Sequence, residues 1–236
     1  MREKLKPYIE EDAYAQILSR YHFEKKDEGK IRALTECLFS AAAPVLYYAP
    51  IGPKEQSRLA VLVTLGAGVD ELQDACTKEG RLGESYMVEC IAMELLGNAY
   101  EQSAERIHDH YGLWIGGFDF LGSTVPIEEM ETLFCILEPQ EVSYNQAYML
   151  TPKKTVAFYT DLTEKRQESY CNQCASCRNT KCAHRKAHLT YGYQRIFGKS
   201  GQGRLLDGAD TLSHGGNGKN DQCNRRFRKD VNTVVD

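Results

Sequence analysis

Long apolar runs are missing from this chain. The longest, Leu59 to Gly68 (LAVLVTLGAG), spans ten residues and includes threonine and glycine. That is too short to cross a bilayer as a helix, so no membrane insertion is expected. The first residues, MREKLKPYIEEDAYAQ, carry no apolar stretch, so no secretory signal is expected either. A strong charge of one sign is also missing. The 29 Lys and Arg against 33 Asp and Glu give a net charge of −4, which argues against a protein that wraps nucleic acid. No His-Glu-x-x-His, Gly-x-Ser-x-Gly or P-loop pattern occurs. Gly198-x-x-Gly201-x-Gly203 follows no strand and is set aside as a phosphate loop. What remains is ordinary for a soluble domain: 42% apolar and 26% charged residues in a chain of 236, enough to bury one large core.

Nine cysteines are the exception to this ordinary composition. Cys37, Cys76, Cys90 and Cys135 stand singly in apolar stretches, where a cysteine acts as a small hydrophobe. An odd total without an export signal points to the reducing cytoplasm. Cys171, Cys174, Cys177 and Cys182 form C-x2-C-x2-C-x4-C, and the two-residue gaps let successive thiolates turn toward one centre. Four thiolates suit tetrahedral zinc or an iron–sulfur cluster. The longer last gap departs from the bacterial ferredoxin run, no proline follows it, and the opposing reading is four free thiols in a polar loop.

The periodicity predicts an α+β domain with antiparallel strands covered by helices. Residues 1–50 read as helical, with Tyr14, Ile17, Leu18 and Tyr21 on one face and Ile31, Leu34, Cys37, Leu38 and Ala41 on another. Pro50, Gly52 and Pro53 close that part. Leu59–Leu65 reads as a buried strand, Val69–Cys76 as a short helix and Glu84–Tyr111 as a long one. Gly112–Thr124 reads as a glycine-rich strand and loop, followed by a helix from Ile127 to Leu137 that Pro139 stops. Val142–Met149 and Thr155–Leu162 read as two strands joined by a turn at Pro152. The core thus spans 51–185. In residues 186–236, eight glycines, no glutamate and no long apolar run predict a flexible tail.

The region from Leu62 to about Arg185 resembles the activation (reactivation) domain of cobalamin-dependent methionine synthase and its stand-alone bacterial relatives. The resemblance rests on LVTLGAGVDE at Leu62–Glu71, Ala104-Glu105-Arg106-Ile107-His108, Pro126 to Leu137, Tyr148-Met149-Leu150-Thr151-Pro152-Lys153-Lys154-Thr155-Val156, and the cysteine motif. The order of these segments is more specific than any one of them. The stand-alone relatives share the Cys174, Cys177 and Cys182 part, which leaves Cys171 as the optional ligand. The resemblance implies an antiparallel twisted sheet with helices, S-adenosylmethionine as ligand, and cobalamin (vitamin B12) carried by a corrinoid-binding protein or methionine synthase as partner. It implies a place in a cytoplasmic methyltransferase system, where a metal centre of the iron–sulfur type would suit corrinoid reduction.

In that family an Arg-x-x-x-Gly-Tyr segment holds the ligand, its arginine clamping the carboxylate. The matching stretch here is Leu113-Trp114-Ile115-Gly116-Gly117-Phe118, in which Gly116, Gly117 and Phe118 are the expected contacts. Gly117 and Phe118 fit the Gly-Tyr pair, and Leu113 stands in the arginine's place. Arg106 and Lys153 are candidates to replace it. Tyr148, Pro152, Lys153, Tyr159, Glu105 and His108 complete the expected ligand set. The plainer readings are a β-bulge or tight turn at Gly116-Gly117, and a surface pair for Glu105 and His108, three residues apart on one helical face. Lys153 and Lys154 read plainly as solvated turn lysines, and the tyrosines as core and sheet surface. The competing function is a metal-containing accessory or electron-transfer protein without the S-adenosylmethionine site.

Overall fold

The computed structural model of the chain describes residues 1–52 and 58–166. The cysteine motif, Cys223 and the 186–236 segment lie outside them. In chain order the elements are β1 (Arg2–Lys4), α1 (Ala13–Arg20), α2 (Glu28–Ala41), β2 (Val45–Pro50), β3 (Arg58–Thr64), α3 (Ala67–Lys78), α4 (Leu82–Tyr111), β4 (Trp114–Ile115) and β5 (Asp119–Phe120). Then follow α5 (Glu129–Leu137), β6 (Ser143–Tyr144), β7 (Leu150–Thr151) and β8 (Thr155–Thr163).

The sheet runs β1-β2-β3-β8-β4, with β5 also on β8, and every pairing is antiparallel. Because side chains alternate along a strand, β3 and β8 feed two cores. Leu59, Val61, Val63 and Phe158 face α1–α4, where Ile17, Ile31, Leu38, Val88, Ile91 and Leu95 meet them. Ala60, Leu62, Ala157 and Tyr159 face α5, whose Met130, Leu133, Phe134 and Leu137 cover that side. A sheet buried on both faces explains why β3 reads as a continuous apolar run.

The helices follow their patterns. In α2, Ile31, Leu34, Thr35 and Leu38 are buried at helical spacing. A capping box between Glu24 and Asp27 sets the turn that leads into it. The 30-residue α4 ends at Gly112, whose left-handed φ of 69° lets its N–H bond the His108 carbonyl at 2.7 Å. Gly68 sits where α3 meets the end of α2. A Cβ there would lie 2.2 Å from the Ala41 carbonyl oxygen.

Several expectations are corrected. The first fifty residues are not all helical, because β1 and β2 complete the sheet. Residues 45–48 of β2 are buried, and Tyr48 hides its ring while its hydroxyl bonds Glu3 at 2.5 Å. The bend expected at Pro152 is there, at residues 152–154 leading into β8, but the strand expected over Val142–Met149 is cut short to β6 by an earlier turn. Asn145 causes this, its side-chain oxygen accepting the N–H groups of Ala147 and Met149 at 2.9 and 3.0 Å. Cys37 is exposed rather than buried, Cys76 and Cys90 are buried as expected, and Cys135 is disulfide-bonded. No helix among the described residues is long and apolar enough to cross a membrane.

Candidate functional site

The site begins with a register mismatch. Ile115 pairs with Leu162, and Asp119 pairs with Tyr159. Three residues, Gly116, Gly117 and Phe118, therefore oppose only Thr160 and Asp161. This is a β-bulge, which bends an edge strand and frees part of its main chain. The plainer reading of Gly116-Gly117 thus describes the local geometry, and the bulge is where a backbone could receive a ligand. Gly116 is forced by packing: its N–H donates to the Asp161 carbonyl at 2.7 Å, and a Cβ would lie 2.9 Å from that same oxygen. Gly117 is exposed. The Phe118 ring is core, 4.3 Å from Phe158 and 5.4 Å from both Tyr100 and Phe120, so only its main chain can face outward.

Arg58 borders the bulge, and no sequence signal singled it out. It heads β3 directly opposite Asp161. Its guanidinium lies 5.4 Å from the Tyr159 ring centre and donates to Asp119 Oδ2 at 2.9 Å, with Asp161 Oδ1 at 3.8 Å. Its Nε is buried without a hydrogen bond. Tyr159 is buried, and its hydroxyl lies 3.4 Å from the Glu129 carbonyl oxygen at the start of α5. Burial first, and then the Glu129 carboxylate, push its phenol up to about 12.

Glu105 and His108 also come to the strand that carries the bulge, and both have partners there. The His108 ring stacks on Trp114, two residues before Gly116, with centroids 3.8 Å apart and planes at 7°. Arg166 lies 4.8 Å over the same indole and bonds Glu105 at 3.2 Å. The (i, i+3) spacing therefore does more than place a surface pair: it holds Trp114 and Arg166.

Tyr148 belongs to the layer around α5. It takes a left-handed φ of 58° and lies parallel to Tyr144, at 5.8 Å and 15°. Its hydroxyl is 3.4 Å from Glu131. Burial and the Glu131 charge raise its pKa.

Pro152 and Lys153 are not brought to the bulge. They precede the opposite end of β8, and the stretch from Thr155 to Asp161 alone spans roughly 20 Å at strand rise. Lys153 is occupied, its N–H on Asp70 Oδ2 at 2.7 Å and its Nζ on Asp74 Oδ1 at 3.1 Å. The bond to Asp74 is the first cause of its raised pKa. Lys154 is buried, with Nζ 2.6 Å from Glu89 Oε1, so it is no solvated turn lysine, whereas Lys153 stays exposed in its pair with Asp74. Arg106 faces Glu3 at 3.8 Å. Neither candidate for the missing arginine stands at the bulge; Arg58 does.

Among the described residues, no group of three or more His, Cys, Asp or Glu is placed to hold a metal ion. Cys171, Cys174, Cys177 and Cys182 lie outside those residues.

No protein-family model and no curated protein sequence matches this chain. Among solved structures, it is similar to a crystal structure of the MetH reactivation domain bound to AdoHcy. The identity is 14%, the TM-score is 0.48, and the match covers 75% of this chain and 83% of that one.

Proposed function

We propose that this protein is a stand-alone relative of the methionine synthase activation domain, which binds S-adenosylmethionine and supports reductive methylation of a cytoplasmic corrinoid protein. The observation that carries the reading is the Gly116–Phe118 bulge. It falls on the residues that match the family's ligand-binding Gly-Tyr pair, and it exposes main chain on the edge strand beside Arg58, Asp119 and Tyr159.

The chemistry asks little covalent work of the protein. A sulfonium methyl is already activated and a reduced cobalt is a strong nucleophile, so catalysis reduces to holding the two in line. The methyl leaves sulfur with the C–S electron pair staying behind on S-adenosylhomocysteine, and cobalt supplies the new bond's pair. The chain's own part is to bind the nucleoside and amino-acid ends and to keep water from the sulfonium. Isothermal titration with S-adenosylmethionine tests the reading. Binding at micromolar to submillimolar ligand is expected, and no heat at millimolar ligand ends it.

The second reading, a metal-containing accessory protein, is favoured by Leu113 in place of the arginine and by the C-x2-C-x2-C-x4-C motif. In it, Cys171, Cys174, Cys177 and Cys182 hold zinc or an iron–sulfur cluster, the latter supplying electrons. Metal content and the visible spectrum of protein purified without oxygen discriminate the two metals.

A further inference from the structure

We infer that Arg58, Asp119 and Asp161 form a subsite for the zwitterionic end of an α-amino acid, with Arg58 taking the carboxylate and an aspartate the ammonium. The inference rests on the preceding proposal that an S-adenosyl amino acid binds at the bulge, and it names the residues that would hold its amino-acid end.

Three observations support it. First, the guanidinium is under-used. Of its five N–H donors, one bonds Asp119 Oδ2 at 2.9 Å, and Nε has no partner. The side chain is 42% exposed, so a ligand can reach its outer edge. Second, the guanidinium is held in place. It lies over the Tyr159 ring and is tied to β5 by Asp119, which fixes the fork that a carboxylate meets in bidentate fashion. Third, the charges match. One cation against two carboxylates leaves the cluster at −1. S-adenosylmethionine carries a carboxylate, an ammonium and a sulfonium, a net +1. Asp161 is 73% exposed and 3.8 Å from Nε, so it is free to turn from the arginine to an incoming ammonium.

The test is a titration of wild type, Arg58→Gln and Arg58→Lys with S-adenosylmethionine and with its decarboxylated analogue. Thermal melting of each variant checks the fold. Arg58→Gln is expected to weaken S-adenosylmethionine about tenfold or more, and to leave the decarboxylated analogue unchanged or tighter. Arg58→Lys, which keeps the charge but not the fork, is expected to give a smaller loss confined to the same ligand. If Arg58→Gln does not melt cooperatively, Arg58→Lys alone decides. Equal weakening of both ligands, or none of either, overturns this inference and leaves the proposed function standing. Wild type that binds neither ligand at millimolar concentration overturns both.

Discussion

Gly116→Ala is the substitution that tests the geometry of the bulge most directly. The new Cβ would stand 2.9 Å from the Asp161 carbonyl oxygen, 0.5 Å inside the 3.4 Å at which ordinary contact begins, and 3.2 Å from Thr163 Cγ2. The first neighbour is backbone of β8, which is locked to β3 on its other side and cannot give way. The edge strand must therefore move out, loosening the 2.7 Å bond from Gly116 N–H. Strain of this kind costs about 1–3 kcal/mol. The loss of chain entropy in the unfolded state returns about 0.4–1 kcal/mol. A net loss of about 1–2 kcal/mol lowers the melting temperature by roughly 2–8 °C in a chain of this size. Gly97→Ala supplies the opposite sign. Gly97 lies inside α4 with nothing within 4 Å of the added Cβ, so alanine should stabilise by about 0.5–1 kcal/mol. Thermal melts followed by circular dichroism read both changes. Gly116→Ala melting at or above wild type would refute the close approach of the two strands, and with it the bulge as a packed, specific feature.

Four further outcomes are expected. Glu89→Ala should cost about 1–3 kcal/mol, because it strands the Lys154 ammonium, whose side chain is 11% exposed. Asp74→Ala breaks an exposed pair and should cost under about 1 kcal/mol; urea melts in which the two variants match would contradict this ranking. Stability should fall as pH rises above about 9, since burial pushes the Cys90 thiol up to about 11, and Tyr144 and Tyr159 up to about 12. The native state then holds protons that the unfolded chain gives up, so this contribution is full below the unfolded pKa and lost through the folded one. A flat melting temperature from pH 8 to 11 would count against that burial. Mass spectrometry after brief alkylation at pH 8 should find Cys37 modified and Cys76 and Cys90 protected. Cys174→Ser should abolish the metal content of protein purified without oxygen; metal-free wild type would dispose of the site.

Much of the fold is written locally. The long helix α4, the stop of α5 before Pro139 and the strand β3 all follow from apolar spacing and from glycine or proline at their ends, since each element's own residues decide its period. Wherever a residue's role depends on a distant partner, local reading fails. β1 and β2 sit in a stretch that otherwise reads as helical, and only pairing with β3 makes Val45–Pro50 a strand. Besides the bend at Pro152, an additional turn before β7 comes from Asn145, and side-chain hydrogen bonding makes it.

The candidate site divides in the same way. By itself the sequence determined that Gly116-Gly117 interrupts a strand, that Glu105 and His108 share a helical face, and that the cysteine spacing suits soft metal ligands. It could not decide which cation stands at the bulge. Arg106 and Lys153 were candidates to reach it in space, but carboxylates occupy both, and Lys153 lies at the far end of β8. Arg58 is 58 residues from Gly116 along the chain, yet it stands opposite Asp161, whose carbonyl receives the Gly116 N–H. That meeting is a consequence of antiparallel register. Pairing sums along β3 and β8 place Arg58 and the bulge on either side of one residue, and no local pattern in the sequence encodes such a sum.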